Sequence, residues 1–314
     1  MISPPTKSAR RTLRMPTIIA VVRSASKATV LRRPAPGQQS MTREQHSGER
    51  IFVCLAGATG WAGSELARAI AGAGDLALSA AISRAQAGRN LGDVLGEARI
   101  DCPIYASATE ALEHRCNVFV EYTKPHIARA NVVAALEHGA HVVVGTSGLT
   151  DSDYAEIDVI ARRAERGVLA VGNFALTVVL MQKFAEMAAR WIPQWEIIDY
   201  AHDDKVDAPS GTARELANRL SRVRRAEPTV PVEQTVGERE ARGATLGGAQ
   251  VHSVRLPRFV ISAEVIFGMP DQTLSIRHDS GASARPYVDG ALIAIRRVST
   301  LKGVHRGLNA VLDL

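Results

Sequence analysis

The chain has 314 residues, which suits two domains, and 46% of them are hydrophobic, enough for a core in each. No apolar run approaches the roughly 18 residues of a transmembrane helix. The three cysteines form no CxxC pair and have no histidine at metal-binding spacing. These features argue against a membrane protein, a disulfide scaffold and a metal site, and they predict a cytoplasmic protein.

The net charge of +6 belongs to the N-terminal segment. Residues 1–43 hold nine basic and no acidic residues, so the rest of the chain carries a net charge of −3. This distribution argues against nucleic-acid binding by the body of the protein. The segment has three interpretations. The first is a transit peptide over residues 1–40 that directs organellar import, and the second is a disordered arm. The third is an extension upstream of the true start of translation, which would then be Met15 or Met41 rather than Met1.

The first organised segment predicts a β-α-β unit. An apolar strand at 51–56 leads into the sequence Gly57-Ala58-Thr59-Gly60-Trp61-Ala62-Gly63, and a helix at 64–70 and a strand at 76–83 follow.

The alternation of strands and helices continues to residue 173. We predict strands at 118–122, 140–144 and 168–171, with helices at 125–138 and 151–166. This order indicates a Rossmann-type, doubly wound parallel sheet.

The pattern changes after Asn173 and indicates a smaller α+β domain. We predict helices at 176–190 and 213–225, a strand at 195–200, and a loop over 226–249. Three strands at hairpin spacing follow, at 251–256, 260–267 and 272–278, and then a helix at 287–297. The predicted division is a basic tail at 1–50, a dinucleotide-binding domain at 51–173, a substrate and oligomerisation domain at 174–284, and a C-terminal segment at 285–314 that returns to the first domain.

The glycine triplet Gly57-x-x-Gly60-x-x-Gly63 predicts a dinucleotide site because it lies between a strand and a helix. The first glycine permits a tight turn and the second a close approach of backbone to pyrophosphate. The helix start offers free N–H groups to the anion. An ordinary glycine-rich turn is the alternative.

Arg84 follows the second strand, where an NAD-specific site usually has an acidic residue. A guanidinium there suits the 2′-phosphate of NADPH, although NADH remains possible. The alternative is an exposed surface arginine.

The segment Lys205-Val206-Asp207-Ala208-Pro209-Ser210-Gly211-Thr212-Ala213 predicts an anion site. Ser210 can cap a helix whose first N–H groups bind a carboxylate, and Lys205 and His202 could supply charge or a proton. The alternative is a capped helix with solvated neighbours.

This segment is similar to the hallmark of the dihydrodipicolinate reductase family, E-x-H-H-R-x-K-x-D-A-P-S-G-T-A. The resemblance covers residues 51–300 in matching order. Besides the glycine loop, it includes the sequences at 121–125 (similar to D-F-T-x-P), 145–148 (G-T-T-G), 172–174 (P-N-F) and 251–255 (I-H-S-x-R).

The resemblance implies an NAD(P)H-dependent reductase of lysine and diaminopimelate biosynthesis that transfers hydride to a C=N or conjugated C=C bond of a small cyclic carboxylate. It implies a homotetramer assembled through the sheet of the second domain. Lys205 and His202 are the catalytic candidates, and Thr146, Ser210, Gly211 and Thr212 the substrate-binding candidates. The cofactor-binding candidates are Gly57, Thr59, Gly60, Trp61, Ala62, Gly63, Arg84, Tyr122, Thr123, Gly145, Ser147 and Asn173.

The chain departs from the family near the reacting centre. Ala201 replaces the first histidine of the pair, the proposed proton donor, and Ala263 replaces a later histidine. Asp203 and Asp204 stand where the family is usually basic or neutral, and Thr177 replaces a glycine. Either Lys205, His202 or a water supplies the proton, or the pocket serves another substrate as a diverged imine reductase. A non-catalytic NADPH sensor is a further alternative.

Overall fold

A computed structural model describes residues 50–313, and the predictions for the N-terminal segment lie outside this range. A seven-stranded sheet forms its first half, with the strand order β12-β6-β5-β4-β1-β2-β3 and every neighbouring pair parallel. Its strands are β1 (Ile51–Ala56), β2 (Leu76–Ile82), β3 (Ile104–Tyr105), β4 (Val118–Glu121), β5 (His141–Val144), β6 (Gly167–Ala170) and β12 (Gly303–Arg306).

Helices cover both faces of this sheet because alternate strand residues point to opposite sides. Val53 and Leu55 of β1 pack in one core with α1 and α8, whereas Cys54 and Ala56 pack in the other with α3, α4 and α5. The helices are α1 (Trp61–Gly72), α2 (Leu91–Leu95), α3 (Ala108–Leu112), α4 (Pro125–Glu137), α5 (Asp151–Arg163) and α8 (Arg285–Arg297). The predicted Rossmann-type fold is confirmed.

A five-stranded mixed sheet forms the second half, in the order β11-β10-β7-β9-β8. Its strands are β7 (Gln194–Ala201), β8 (Ala244–Leu246), β9 (Ala249–Arg255), β10 (Ile261–Met269) and β11 (Gln272–Ser280). The helices α6 (Leu176–Ala189) and α7 (Gly211–Val223) pack on one face of it. The α+β expectation for this half is therefore also confirmed.

Two details of this half were predicted wrongly. The strands at 251–256 and 260–267 do not pair as a hairpin, because β7 lies between β9 and β10 and pairs with both. The predicted loop at 226–249 contains β8, which pairs with β9. Only β10 and β11 form the expected hairpin.

Three short elements and one late strand carry no clear sequence pattern. They are α2, β3, α3 and β12, each of two to five residues. The last strand joins the parallel edge beside β6, and α8 packs against α1, so the end of the chain belongs to the first sheet.

Candidate functional site

The glycine loop joins β1 to α1 at the carboxyl edge of the parallel sheet. Gly57 has a φ of +79°, and a Cβ there would lie 2.3 Å from the carbonyl oxygen of Tyr122. A Cβ on Gly63 would lie 2.1 Å from the carbonyl oxygen of Gly57. Both positions therefore require glycine, and the turn presents the free N–H groups at the start of α1 to an anion.

A cavity of about 510 Å³ lies on the β2 side of this loop. Arg84 and Lys124 line it, both exposed, and no acidic residue does. Thr59 also lines it and is hydrogen-bonded through its hydroxyl to that of Ser83 at 2.9 Å. Six predicted cofactor residues thus share one cationic cavity, which suits a phosphorylated ribose, namely Gly57, Thr59, Gly60, Arg84, Tyr122 and Thr123.

A second cavity, of about 290 Å³, lies on the β5 and β6 side of the loop. Eight predicted site residues line it, namely Trp61, Ala62, Tyr122, Thr123, Gly145, Thr146, Ser147 and Asn173. Tyr122 occupies the space that a side chain on Gly145 would need, since a Cβ there would lie 2.0 Å from its ring. The Tyr122 hydroxyl is buried without a partner among the described residues, and burial raises its pKa.

The buried carboxylate of Glu121 organises the wall of this cavity. It accepts hydrogen bonds from the backbone N–H (2.7 Å) and the hydroxyl of Thr123, the hydroxyl of Thr146 (3.2 Å) and the amide of Asn131 (2.7 Å). Sequence reasoning missed Glu121 as a functional residue. Its position at the end of a buried apolar strand was the available signal, because an acidic residue there must be paired.

A larger cleft of about 820 Å³ adjoins the second cavity and separates the β5–α5 loop from helix α7. The two spaces share four wall residues, Thr146, Ser147, Val171 and Gly172. Gly211 at the start of α7 lines the cleft from the opposite side, so it brings together two of the predicted substrate residues, Thr146 and Gly211.

Basic side chains dominate the rest of this cleft. Arg214, Arg219, Arg222 and Arg306 line it with a single acidic residue, Glu215. Arg219 is engaged by Glu186 and Glu215 at 2.9 and 3.1 Å, and Arg306 by Asp151 at 2.7 Å. The excess of guanidinium groups favours an acidic ligand.

Ser210 lies behind the wall of the cleft rather than at its surface. It is buried, its hydroxyl donates to Asp199 at 2.6 Å, and the same oxygen caps Ala213. The backbone N–H of Ser210 also donates to Asp199, at 2.8 Å. The side chain therefore shapes the helix start, while Gly211 and Thr212 are the predicted substrate residues of this turn that remain partly or fully exposed.

Asp199 is a second buried carboxylate that sequence reasoning missed. It receives hydrogen bonds from Ser210, from Ser253 at 3.3 Å and from Arg255 at 2.8 Å, and Arg255 also donates to the carbonyl of Asp207 at 2.7 Å. A fully buried carboxylate needs such partners. The network ties β7, β9 and the 202–209 loop to the start of α7.

The two catalytic candidates lie on that loop and do not line the cleft. The Lys205 ammonium pairs with the Asp207 carboxylate at 2.7 Å, and this hydrogen bond lowers the pKa of Asp207. The imidazole Nδ1 of His202 lies 2.8 Å from Asp203 and 2.9 Å from Asp204. These two carboxylates thus face His202. The three side chains bring ligand atoms within 4.8 Å of one another on the exposed surface.

Buried alanines occupy the two positions at which the family has histidine. Ala201 and Ala263 are both buried, and Ala263 packs in the core with α6 and α7. His278 is the cross-strand partner of Ala263, and its Nδ1 is hydrogen-bonded to the Thr177 hydroxyl at 2.9 Å. Burial lowers the pKa of His278. A histidine thus remains in this part of the second domain, two strands away from β7.

Two family models match consecutive parts of the chain. The one described as "Dihydrodipicolinate reductase, N-terminus" matches residues 51–174, and the one described as "Dihydrodipicolinate reductase, C-terminus" matches residues 177–312.

Named relatives match over nearly their full length. A protein of Geobacillus thermodenitrificans, named 4-hydroxy-tetrahydrodipicolinate reductase, is 38% identical over 264 residues, which are 84% of this chain and 99% of that protein. A protein of the same name from Thermosynechococcus vestitus is 37% identical over 268 residues, covering 83% and 97% of the two chains.

Solved structures agree with the fold. The dipicolinate-bound dihydrodipicolinate reductase from Paenisporosarcina sp. TG-14 has a TM-score of 0.74 at 30% identity and covers 84% of this chain and 100% of its own. An amine dehydrogenase from Mycobacterium smegmatis has a TM-score of 0.58 at 16% identity, covers 81% of this chain and 94% of its own, and shows a likeness of fold alone. Within residues 50–313, no helix has the length and apolar character needed to cross a bilayer.

Proposed function

We propose a specific reaction from the premise that the chain belongs to the dihydrodipicolinate reductase family: reduction of 4-hydroxy-tetrahydrodipicolinate, the substrate in its relatives' name, with NADPH. The observation that carries the proposal is the wall shared by the 290 Å³ cavity and the interdomain cleft. A nicotinamide ring on one side of this wall and a small carboxylate on the other would be neighbours. Residues 51–173 would hold the cofactor and residues 174–284 the substrate.

Cofactor binding fits the residues present. Gly57 and Gly63 leave backbone where a side chain would clash, and the N-terminus of α1 offers donors for the pyrophosphate. Arg84 and Lys124, without a carboxylate beside them, favour the 2′-phosphate of NADPH over the free hydroxyl of NADH. When bound, the reduced nicotinamide supplies a hydride.

The chain's own residues orient the substrate and supply the proton. Gly211 and Thr212 would offer the first N–H groups of α7 to a carboxylate, and Thr146 lines the same cleft as Gly211. Lys205 is the proposed proton donor, with His202 beside it. The salt bridge to Asp207 has to open before the Lys205 ammonium reaches the substrate.

A second candidate is reduction of a different small imine acid. Ala201 favours it, because the position of the expected proton donor is filled by a fully buried methyl group. The arginines of the cleft would suit a more acidic substrate equally well. An intact Lys205 and an intact helix start argue against a sensor without activity, which needs neither.

The test is oxidation of NADPH by the full chain, with 4-hydroxy-tetrahydrodipicolinate generated in situ. We expect turnover by the wild type and a loss of about 10²-fold or more in Lys205→Ala, the usual contribution of a general acid. Lys302→Ala is the matched control, since this exposed lysine pairs with Glu165 on the far edge of the first sheet. NADPH binding without turnover in the wild type would reject this substrate and leave the imine reductase alternative.

A further inference from the structure

The wall of the 290 Å³ cavity concentrates aromatic side chains. The chain has only 3 Trp, 5 Tyr and 6 Phe residues, yet Trp61, Tyr122, Phe174 and Tyr287 all line this space. Aromatic residues at such a density in a cleft favour a flat, apolar ligand. The volume lies at the small end of ligand pockets, which span roughly 300–1,000 Å³. It therefore suits one ring system rather than a whole dinucleotide.

The four rings form two edge-to-face pairs. The buried pair joins Tyr122 to Phe174, with centroids 5.6 Å apart and planes at 61°. The outer pair joins Trp61 to Tyr287, with centroids 5.7 Å apart and planes at 69°. The packing of Tyr122 against Gly145 fixes the inner pair. The outer pair brings together the start of α1 and the first turns of α8, which are far apart in the sequence.

Trp61 of the outer pair is a large apolar residue, yet 61% of its surface is exposed. It directly follows Gly60, the N-cap of α1, so it lies beside the N–H groups at the helix start that would bind the pyrophosphate. A ligand that covered this exposed apolar ring would remove it from water, and this burial would stabilise the complex.

We propose that Trp61 and Tyr287 form an aromatic cover over the nicotinamide end of the bound cofactor, a specific assignment that rests on the proposed function. The cover lies against the face of the ring away from the wall that the cavity shares with the cleft. The opposite face then points toward the substrate, and water is kept from the covered side. Trp61 and Tyr287 are positioning residues in this arrangement and take no part in proton transfer.

The first test uses the fluorescence of the full chain. Trp61, Trp191 and Trp195 are its only tryptophans, so titration with NADPH reports on few sites. We expect tryptophan emission to fall as NADPH binds in the wild type, because an indole in contact with the reduced ring transfers energy to it. Trp61→Phe should lose most of this change. Trp191→Phe should keep it, since Trp191 is 81% exposed at the end of α6 and lines none of the cavities described above.

The second test separates the aromatic contact from a structural role. We expect Trp61→Ala and Tyr287→Ala each to raise the NADPH Kd about tenfold by calorimetry, equivalent to about 1.4 kcal/mol. Trp61→Phe, which retains a ring, should recover most of this loss. The KM for NADPH should rise more than kcat falls.

The outcomes are distinguishable. If the wild type bound neither NADPH nor NADH, the proposed function and the aromatic cover would both be rejected. If the wild type bound NADPH, but Trp61→Ala bound it equally well and Trp61→Phe kept the full emission change, only the aromatic cover would be rejected.

Discussion

At the scale of single residues, two buried carboxylates organise the site. Glu121 holds Thr123, Thr146 and Asn131, and Asp199 holds Ser210, Ser253 and Arg255. Each carboxylate is fully buried and saturated with donors, so each fixes the geometry of the groups that it holds. Thr123, Thr146 and Asn131 line the cavities of the candidate site, whereas Glu121 lines none of them.

Replacing Glu121 tests this dependence. Glu121→Gln should lower kcat/KM by about 10–100-fold, the cost typical of losing an outer partner of a site. The amide keeps one acceptor oxygen but replaces the other with an NH2 group, which cannot accept the hydrogen bonds that the second carboxylate oxygen now accepts. Steady-state NADPH oxidation measures the effect, and Glu121→Asp, which retains the carboxylate, should recover part of it. Equal activity of Gln and wild-type enzymes would show that Glu121 is only a packing residue.

We expect the preference between cofactors to depend on a second residue-scale feature, the unpaired charge of Arg84. Among residues 50–313 its guanidinium makes no hydrogen bond or ion pair, and it lines the cavity beside Ser83. Arg84→Ala should raise the NADPH Kd by about tenfold or more, because a charge-assisted contact to phosphate is lost, and should leave the NADH Kd unchanged. Calorimetry with both cofactors checks this. Arg89→Ala, an exposed neighbour outside the cavity, is the control. An equal loss of affinity for NADPH and NADH would show that Arg84 does not bind the 2′-phosphate.

At the scale of secondary structure elements, the start of β5 depends on a neutral histidine. His141 accepts a hydrogen bond at Nδ1 from the backbone N–H of Gly167, the first residue of β6, at 3.0 Å. Burial, with Arg166 nearby, lowers the pKa of His141 from its usual 6.5. The unfolded chain therefore binds a proton at a higher pH than the native chain. The stabilisation is complete above about pH 6.5 and is lost as the pH falls toward the native pKa.

Thermal unfolding tests this linkage. We expect the Tm of the wild type to fall as the pH is lowered from about 7.5 to 5.5. The Tm of His141→Asn should fall less, because the amide oxygen keeps an acceptor and does not titrate. The pH-dependent loss in the free energy of unfolding should differ between the two proteins by on the order of 1 kcal/mol, the contribution of one hydrogen bond. His126→Asn, on the exposed first turn of α4, should follow the wild type. His278 contributes with the same sign, so the variant retains part of the slope.

At the scale of the whole molecule, the five-stranded sheet has one face packed by α6 and α7 and a second face with no helix over it in the described range. Ile198 and Tyr200 of the central strand lie on this second face, with Arg277 stacked 4.5 Å over the Tyr200 ring. We predict that this face assembles the homotetramer implied by the resemblance.

A charge at the centre of that face should prevent assembly. Ile198→Asp is expected to change the mass measured by light scattering from that of a tetramer to that of a monomer, because a carboxylate would be buried unpaired in the interface. The control is Val159→Asp, which replaces an exposed valine on α5 of the first sheet. A wild type that is monomeric, or an Ile198→Asp protein that remains a tetramer, would contradict the prediction.

The fold class and the family followed from local sequence patterns. Strand and helix periodicities, the spacing of Gly57, Gly60 and Gly63 and the start of α7 at Ser210 are properties of neighbouring residues, so they can be read without knowing the packing. The same reasoning could not place β7 between β9 and β10, because strand pairing depends on residues far apart in the chain. Short elements such as β3 carry too few residues for a period to appear.

The Rossmann-type sheet and the second α+β half followed from the sequence alone, because both depend on local pattern and turn chemistry. Which of the predicted site residues share a cavity followed from the packing of the elements and not from the sequence pattern. This packing placed Thr146 opposite Gly211, turned the Ser210 hydroxyl inward to Asp199, and paired Trp61 with Tyr287. The physical reason is that a cavity wall and a buried hydrogen bond are made by groups distant in sequence, whose approach is set by the packing of whole elements.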